Sequence, residues 1–149
     1  VNLETTKALL NEIGKAMVRS SPDGWRTITL KVTAAANMMT SALDVELSDG
    51  SHDTSAAIDS DGDDALDELR DALYQEDTGT WYNATFIVSE GGDLDYTYDY
   101  DNPPYGGMAD DPTNTGSAAR ELLLYDHEMF PRDDANLPIW HPARLAHSD

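Results

Sequence analysis

From Leu3 to Arg19 apolar residues fall at Leu3, Leu10, Ile13 and Met17, with Leu9 and Ala16 beside them. That is the i, i+3, i+4, i+7 stripe of an amphipathic helix. Ser20-Ser21-Pro22-Asp23-Gly24 is turn chemistry that ends it. The period then changes to two. Ile28, Leu30, Val32 and Ala34 alternate with Thr27, Thr29, Lys31 and Thr33, which predicts a half-buried strand. A second alternating run, Met39, Ser41, Leu43, Val45 and Leu47, predicts another strand, and beyond the Ser48-Asp49-Gly50 turn a weaker one passes through Thr54, Ala56 and Ile58.

The acidic run from Asp59 to Asp64 leads into a second helix with Leu66, Leu69 and Leu73 inside; acids suit a first helical turn because the helix dipole is positive there. A hairpin follows, Trp81 to Ser89 and Leu94 to Tyr100. Ala84, Phe86 and Val88 share one face of its first strand, and Leu94, Tyr96, Tyr98 and Tyr100 share one face of its second. A loop of odd length, Glu90-Gly91-Gly92 with a bulged glycine, places the two apolar sets together, whereas an even loop would separate them. The opposite face then carries Asp93, Asp95, Thr97, Asp99 and Asp101. Like charges two residues apart repel, so this is an unfavourable way to decorate an ordinary sheet. Asn102 to Gly116 reads as a long loop, and a third helix is expected from Ser117 to Phe130 with Leu122, Leu123 and Met129 inside. The tail Leu137 to Pro142 is too rich in proline for a helix and is expected to pack Trp140 on the sheet. Helix, strands, helix, hairpin, helix is the order of an α+β fold: a single antiparallel sheet with helices packed on one face, one domain over residues 1–149.

Composition sharpens the picture through charge. The 149 residues hold 29 Asp plus Glu against 9 Lys plus Arg, a formal net charge of −20. Such a field repels nucleic acid and anionic lipid and speeds encounter with basic proteins. Cysteine is absent, which removes disulfides, thiolate metal sites and cysteine nucleophiles. No apolar run approaches the roughly 18 residues of a membrane span. Val1-Asn2-Leu3-Glu4 has neither the basic start nor the apolar stretch of a secretory signal, so a cytoplasmic location is expected.

Catalytic and metal chemistry find no pattern. Counting Asp59 as the first ligand of a calcium loop puts Asp64 where the turn glycine belongs and Arg70 where the bidentate glutamate belongs. His52, His127, His141 and His147 lack zinc-ligand spacing. No serine stands in a Gly-x-Ser-x-Gly elbow, and no phosphate-cradling glycine motif precedes a helix. A two-carboxylate glycosidase would need a carboxyl pair in an unrelieved acidic field. No catalytic, cofactor or metal residue is therefore assigned, and an enzyme is not expected.

The segment Trp81-Tyr82-Asn83-Ala84-Thr85-Phe86-Ile87-Val88, followed by the run from Gly91 to Asp101, resembles the hallmark of YezG-like immunity proteins. That family shows a tryptophan, a Thr-Phe-Ile strand, a glycine turn and an alternating Asp-Tyr strand. The matching positions here are Trp81, Thr85, Phe86, Ile87, Gly92, Tyr98, Asp99, Tyr100 and Asp101. The opening helix, Trp25 at the start of the first strand and the acidic second helix match in order. Thr97 stands where the family favours another aspartate, and the C-terminal third matches weakly. The resemblance implies a cytoplasmic, non-catalytic antitoxin that binds a secreted toxin encoded beside it. Such toxins are often nucleases, and related immunity proteins face ADP-ribosylating and NAD-consuming ones.

The residues themselves point to a basic protein partner and place the contact on Asp93, Asp95, Asp99 and Asp101, with Tyr105 of the adjoining loop as an aromatic anchor. A standard interface of roughly 1,600 Å² would suffice. Self-repulsion favours a monomer before the partner binds. The competing expectation is an acidic structural domain, calcium-responsive or adapted to high salt, with no toxin partner.

Overall fold

The computed structural model describes residues 3–110 and 116–146. Helix α1 (Leu3–Ser20) leads through Gly24 into strands β1 (Trp25–Ala35), β2 (Met38–Leu47) and the two-residue β3 (His52–Asp53). Helix α2 (Ser60–Ala72) is followed by β4 (Asn83–Ser89), β5 (Leu94–Asp99), α3 (Arg120–Met129) and the short α4 (Pro142–Ala146). All strand pairs are antiparallel, in the order β3-β2-β1-β4-β5. The fold is the expected α+β class, but the helices are not confined to one face: α1 and α2 cover one side of the sheet, and α3 meets Ala35 on the other.

Strand alternation decides which face is covered. Ile28, Leu30, Val32 and Ala34 of β1 are buried together with Leu43 and Val45 of β2 and Ala84, Phe86 and Val88 of β4. Against them α1 places Leu10, Ile13, Ala16 and Met17, and α2 places Ala65, Leu66 and Leu69. The two helices approach closely where α2 carries Gly62. A Cβ there would stand 2.6 Å from Ile58 Cδ1 and 2.8 Å from Ala16 Cβ. Asp59 caps α2, accepting from the Gly62 N–H at 2.9 Å, and pairs with Arg19 at 2.6 Å. The acidic run is thus used as a helix cap and a clasp between the two helices.

The opposite sheet face differs along its length. Near the β1–β2 turn it carries a second, smaller core of Ala35, Met108, Ala118 and Leu123, with Tyr105, Leu122 and Trp140 against it. Farther along, Thr27, Thr29, Lys31, Asp44, Thr85, Asp95 and Thr97 are half-buried or exposed. Among the described residues no helix is long and apolar enough to cross a membrane.

Several boundaries differ from the sequence expectation. Leu3 is 80% exposed, because the buried stripe of α1 begins only at Leu10. The third strand lies at His52–Asp53, ahead of Thr54, where Asp53 receives the N–H and hydroxyl of Ser55 in a tight turn that ends the pairing. α3 begins at Arg120, since Ala118 is still paired with Met108 in an extended bridge, and Met129 at its end is exposed. Leu137 to His141 form no α-helix, as expected, and the short α4 starts only at Pro142, where a proline at a first helical position loses no hydrogen bond. Trp140 packs edge-on to Tyr82 at 5.2 Å, at the base of the hairpin, and against the second core on the sheet's opposite face. The Asn102–Gly116 loop contains a 3-10 turn, Pro104–Gly106, and its residues 111–115 lie outside the described residues.

Candidate functional site

The β4–β5 hairpin has the register that the odd loop requires. Val88 pairs with Leu94, Phe86 with Tyr96 and Ala84 with Tyr98, so the apolar sets share the helix-covered face. Gly92 supplies the left-handed backbone conformation (φ +86°) that closes the turn, and the Ser89 N–H donates to the Asp93 carbonyl. Thr97 then lies opposite Thr85 and Asp95 opposite Ile87 on the other face.

The four aspartates are not equivalent. Asp95 is exposed in the middle of β5, and Asp93 is exposed in the turn. Asp99 is the last strand residue. Its carboxylate accepts from the backbone N–H groups of Asp101 and Asn102 and from the Asn102 side chain. Partial burial opposes its ionisation, but the hydrogen bonds from Asn102 and Asp101 outweigh it and lower its pKa. This turn ends β5 at Asp99, so Tyr100 and Asp101 lie beyond the strand, a correction to the expected span. Asp101 is exposed, with its carbonyl taken by Trp140 Nε1 at 2.6 Å. Among the described residues, none of the four carboxylates has an ion-pair partner.

Tyr105 departs from its expected role. It is half-buried against the second core, with its N–H donating to Thr33 Oγ1 and its hydroxyl enclosed without a hydrogen-bond partner. An aromatic held in this way is a packing residue and not an exposed anchor. The exposed aromatic nearest the aspartate row is Tyr96, half exposed on the helix-side face of β5.

Beneath the hairpin lies a polar layer that the sequence reading did not identify. Arg70 and Asp126 form an ion pair at 2.9 Å with side chains only 2% and 4% exposed. Arg70 Nε donates to the Trp81 carbonyl at 2.8 Å, and its guanidinium lies 4.8 Å from the Phe130 ring centre. Arg132 donates to the carbonyls of Tyr100 and Thr80 and stacks over Tyr82 at 4.6 Å. Trp81, fully buried, stacks on Tyr98. Burial pushes Tyr82 up to about 12 and raises Tyr98 as well. Two of the nine cations are therefore spent inside the protein, bracing the hairpin and leaving the surface more acidic than the composition implies.

His141 completes this layer. It is fully buried, its Nδ1 accepts from the Ala143 N–H at 3.1 Å, and its Nε2 has no partner. Burial, reinforced by His127 with its ring centre 5.6 Å away, lowers its pKa from 6.5 to about 4. The unfolded chain takes up this proton near pH 6.5 and the folded chain only near 4, so the contribution is complete above 6.5 and is lost as pH falls toward 4. Between pH 7 and 5 the wild type should lose about 2 kcal/mol that a His141→Asn variant, which keeps an acceptor for Ala143, does not lose. Urea denaturation of both proteins at the two pH values checks this; parallel losses would refute it.

Among the described residues no group of three or more His, Asp or Glu is arranged to hold a metal ion. The first residue of the calcium-loop reading, Asp59, is occupied by the α2 cap and by Arg19. What the hairpin offers chemically is a ribbon that displays the carboxylates of Asp93, Asp95 and Asp101 without ion-pair partners among the described residues. No protein-family model matches the chain, and no curated protein matches it.

Proposed function

We propose that this chain is an immunity protein of the YezG-like kind, which acts in the cytoplasm without catalysis by binding and neutralising a basic toxin domain encoded beside it. The observation that carries the reading is the exposed, unpaired carboxylate row of Asp93, Asp95 and Asp101 on a braced hairpin, in a chain of net charge −20. Keeping like charges this close costs stability. A cationic surface that docks there recovers that cost and gains charge-assisted contacts. Nucleases and ADP-ribosylating or NAD-consuming toxins handle phosphate-bearing substrates through basic grooves, and a carboxylate ribbon is complementary to such a groove.

The test is protection in the cell. Expression of the toxin domain encoded next to this gene should arrest growth, and co-expression of this chain should restore it, with the two proteins co-purifying. Full arrest in the presence of abundant, folded chain would refute the reading.

A further inference from the structure

β5 is an edge strand, and its outer edge is open. In an antiparallel ladder alternate residues bond to the neighbouring strand while those between point their backbone groups away. The carbonyls of Asp93 and Asp99 accept from Ser89 and Tyr82, which assigns the odd-numbered residues to the β4 side. The N–H and C=O groups of Leu94, Tyr96 and Tyr98 therefore face outward, and among the described residues none has a partner. The next outward carbonyl, Tyr100, is closed off by Arg132 Nη1 at 3.0 Å. The vacant edge is thus one short, bounded stretch.

Its two faces have opposite character. On one lie the exposed Asp95 and Thr97 and, at the strand end, the half-buried Asp99, whose carboxylate also holds the Asn102 turn. On the other, next to the half-exposed Tyr96, Leu94 lines a groove of about 670 Å³ between α1 and the hairpin tip, with Leu10, Val18 and Trp25 as its apolar part and Lys15, Arg19 and Glu90 as its charged part. Unprotected edges invite pairing, and charge is a common guard against pairing with a copy of the same strand. Two copies of β5 laid edge to edge would bring one aspartate row alongside another. A strand carrying Lys or Arg at alternate positions would meet the same row favourably.

We propose that β5 is the docking strand for the basic partner. An extended segment of that partner joins the sheet on the Leu94–Tyr98 edge, with basic side chains along Asp95, Thr97 and Asp99 and apolar ones on the Leu94 and Tyr96 side toward the groove. The main chain supplies the affinity and the alternation supplies the selectivity. This deepens the immunity reading by naming the surface and the form of what binds it.

The experiment uses the whole chain and synthetic nine-residue peptides, acetylated and amidated, alternating Lys with Val or Glu with Val. Amide exchange is followed residue by residue by NMR. The Lys–Val peptide should slow exchange of the Leu94, Tyr96 and Tyr98 amides at least tenfold and leave those of α2 unchanged. The Glu–Val peptide should do neither, and an Asp95→Lys variant should shift the preference toward Glu–Val. Absence of binding, protection confined to other strands, or equal protection by both peptides overturns the proposal. A toxin domain that binds the chain while those three amides exchange at the free rate also overturns it, yet leaves the immunity reading intact.

Discussion

Replacing Asp126 with alanine is expected to destabilise the protein by about 3–5 kcal/mol, among the largest effects of any single substitution in the chain. Asp126 Oδ1 lies 2.9 Å from Arg70 Nη1 and also accepts from the Ala36 N–H at 2.5 Å. Ala36 occupies the β1–β2 turn in a left-handed conformation (φ 54°), which is strained for a residue with a Cβ. The carboxylate therefore neutralises a buried cation and holds a strained turn. Arg70 has little else to compensate its charge: Nε is bonded to Trp81, Nη1 is close to Asp126 without hydrogen-bond alignment, and Nη2 has no partner. Removing Asp126 leaves that charge alone in the interior. Replacing both residues, Arg70→Met with Asp126→Leu, should recover much of the loss, because a buried pair costs nearly as much to desolvate as its attraction returns. Urea denaturation of the single and double variants measures both effects. A single-variant cost below about 1 kcal/mol would mean that the pair is effectively solvated.

The second large effect concerns association. Asp93, Asp95 and Asp101 project from the hairpin without intramolecular duties for their carboxylates, whereas Asp99 closes the turn after β5. Reversal to lysine at the first three changes the outward field and leaves the fold in place, while reversal at Asp99 would also release the Asn102 turn. The triple variant should bind the proposed basic toxin domain with an on-rate at least about tenfold lower at low salt. The thermal transition should hold or rise slightly, since surface substitutions seldom exceed about 0.5 kcal/mol each and mutual repulsion is relieved.

Much of this fold was legible because burial in a sheet has a period of two and in a helix 3.6. The alternation in β1 and β2 and the stripe of Leu10, Ile13 and Met17 fall inside as expected. The parity of the hairpin followed from the need to put Phe86 and Tyr96 on one side, and Gly92 bore it out. The buried polar layer was missed although the helical period contains it. Arg70 is four residues from Leu66 and Asp126 is three from Leu123, so each lies on the buried stripe of its helix. Nothing local marks Arg132 or His141, whose partners Thr80, Tyr100 and Tyr82 are remote in the chain. Tyr105 is the converse case: its loop, rich in proline and glycine, shows no apolar period, and only the contacts of Met108 and the bridge to Ala118 reveal that it folds onto a second core. Asp99 looked like its neighbours in the row, and only the geometry of the Asn102 turn distinguishes it.

The most direct test of the central claim is the association rate constant of the chain with the proposed toxin partner, followed by stopped flow as salt rises from about 0.01 M to 1 M, where the screening length shrinks from about 30 Å to 3 Å. A basic surface docking on the carboxylate ribbon predicts a steep fall for the wild type, a much shallower one for the Asp93, Asp95 and Asp101 reversal, and convergence of the two at high salt. Coincident curves for the two proteins across the whole range would contradict it.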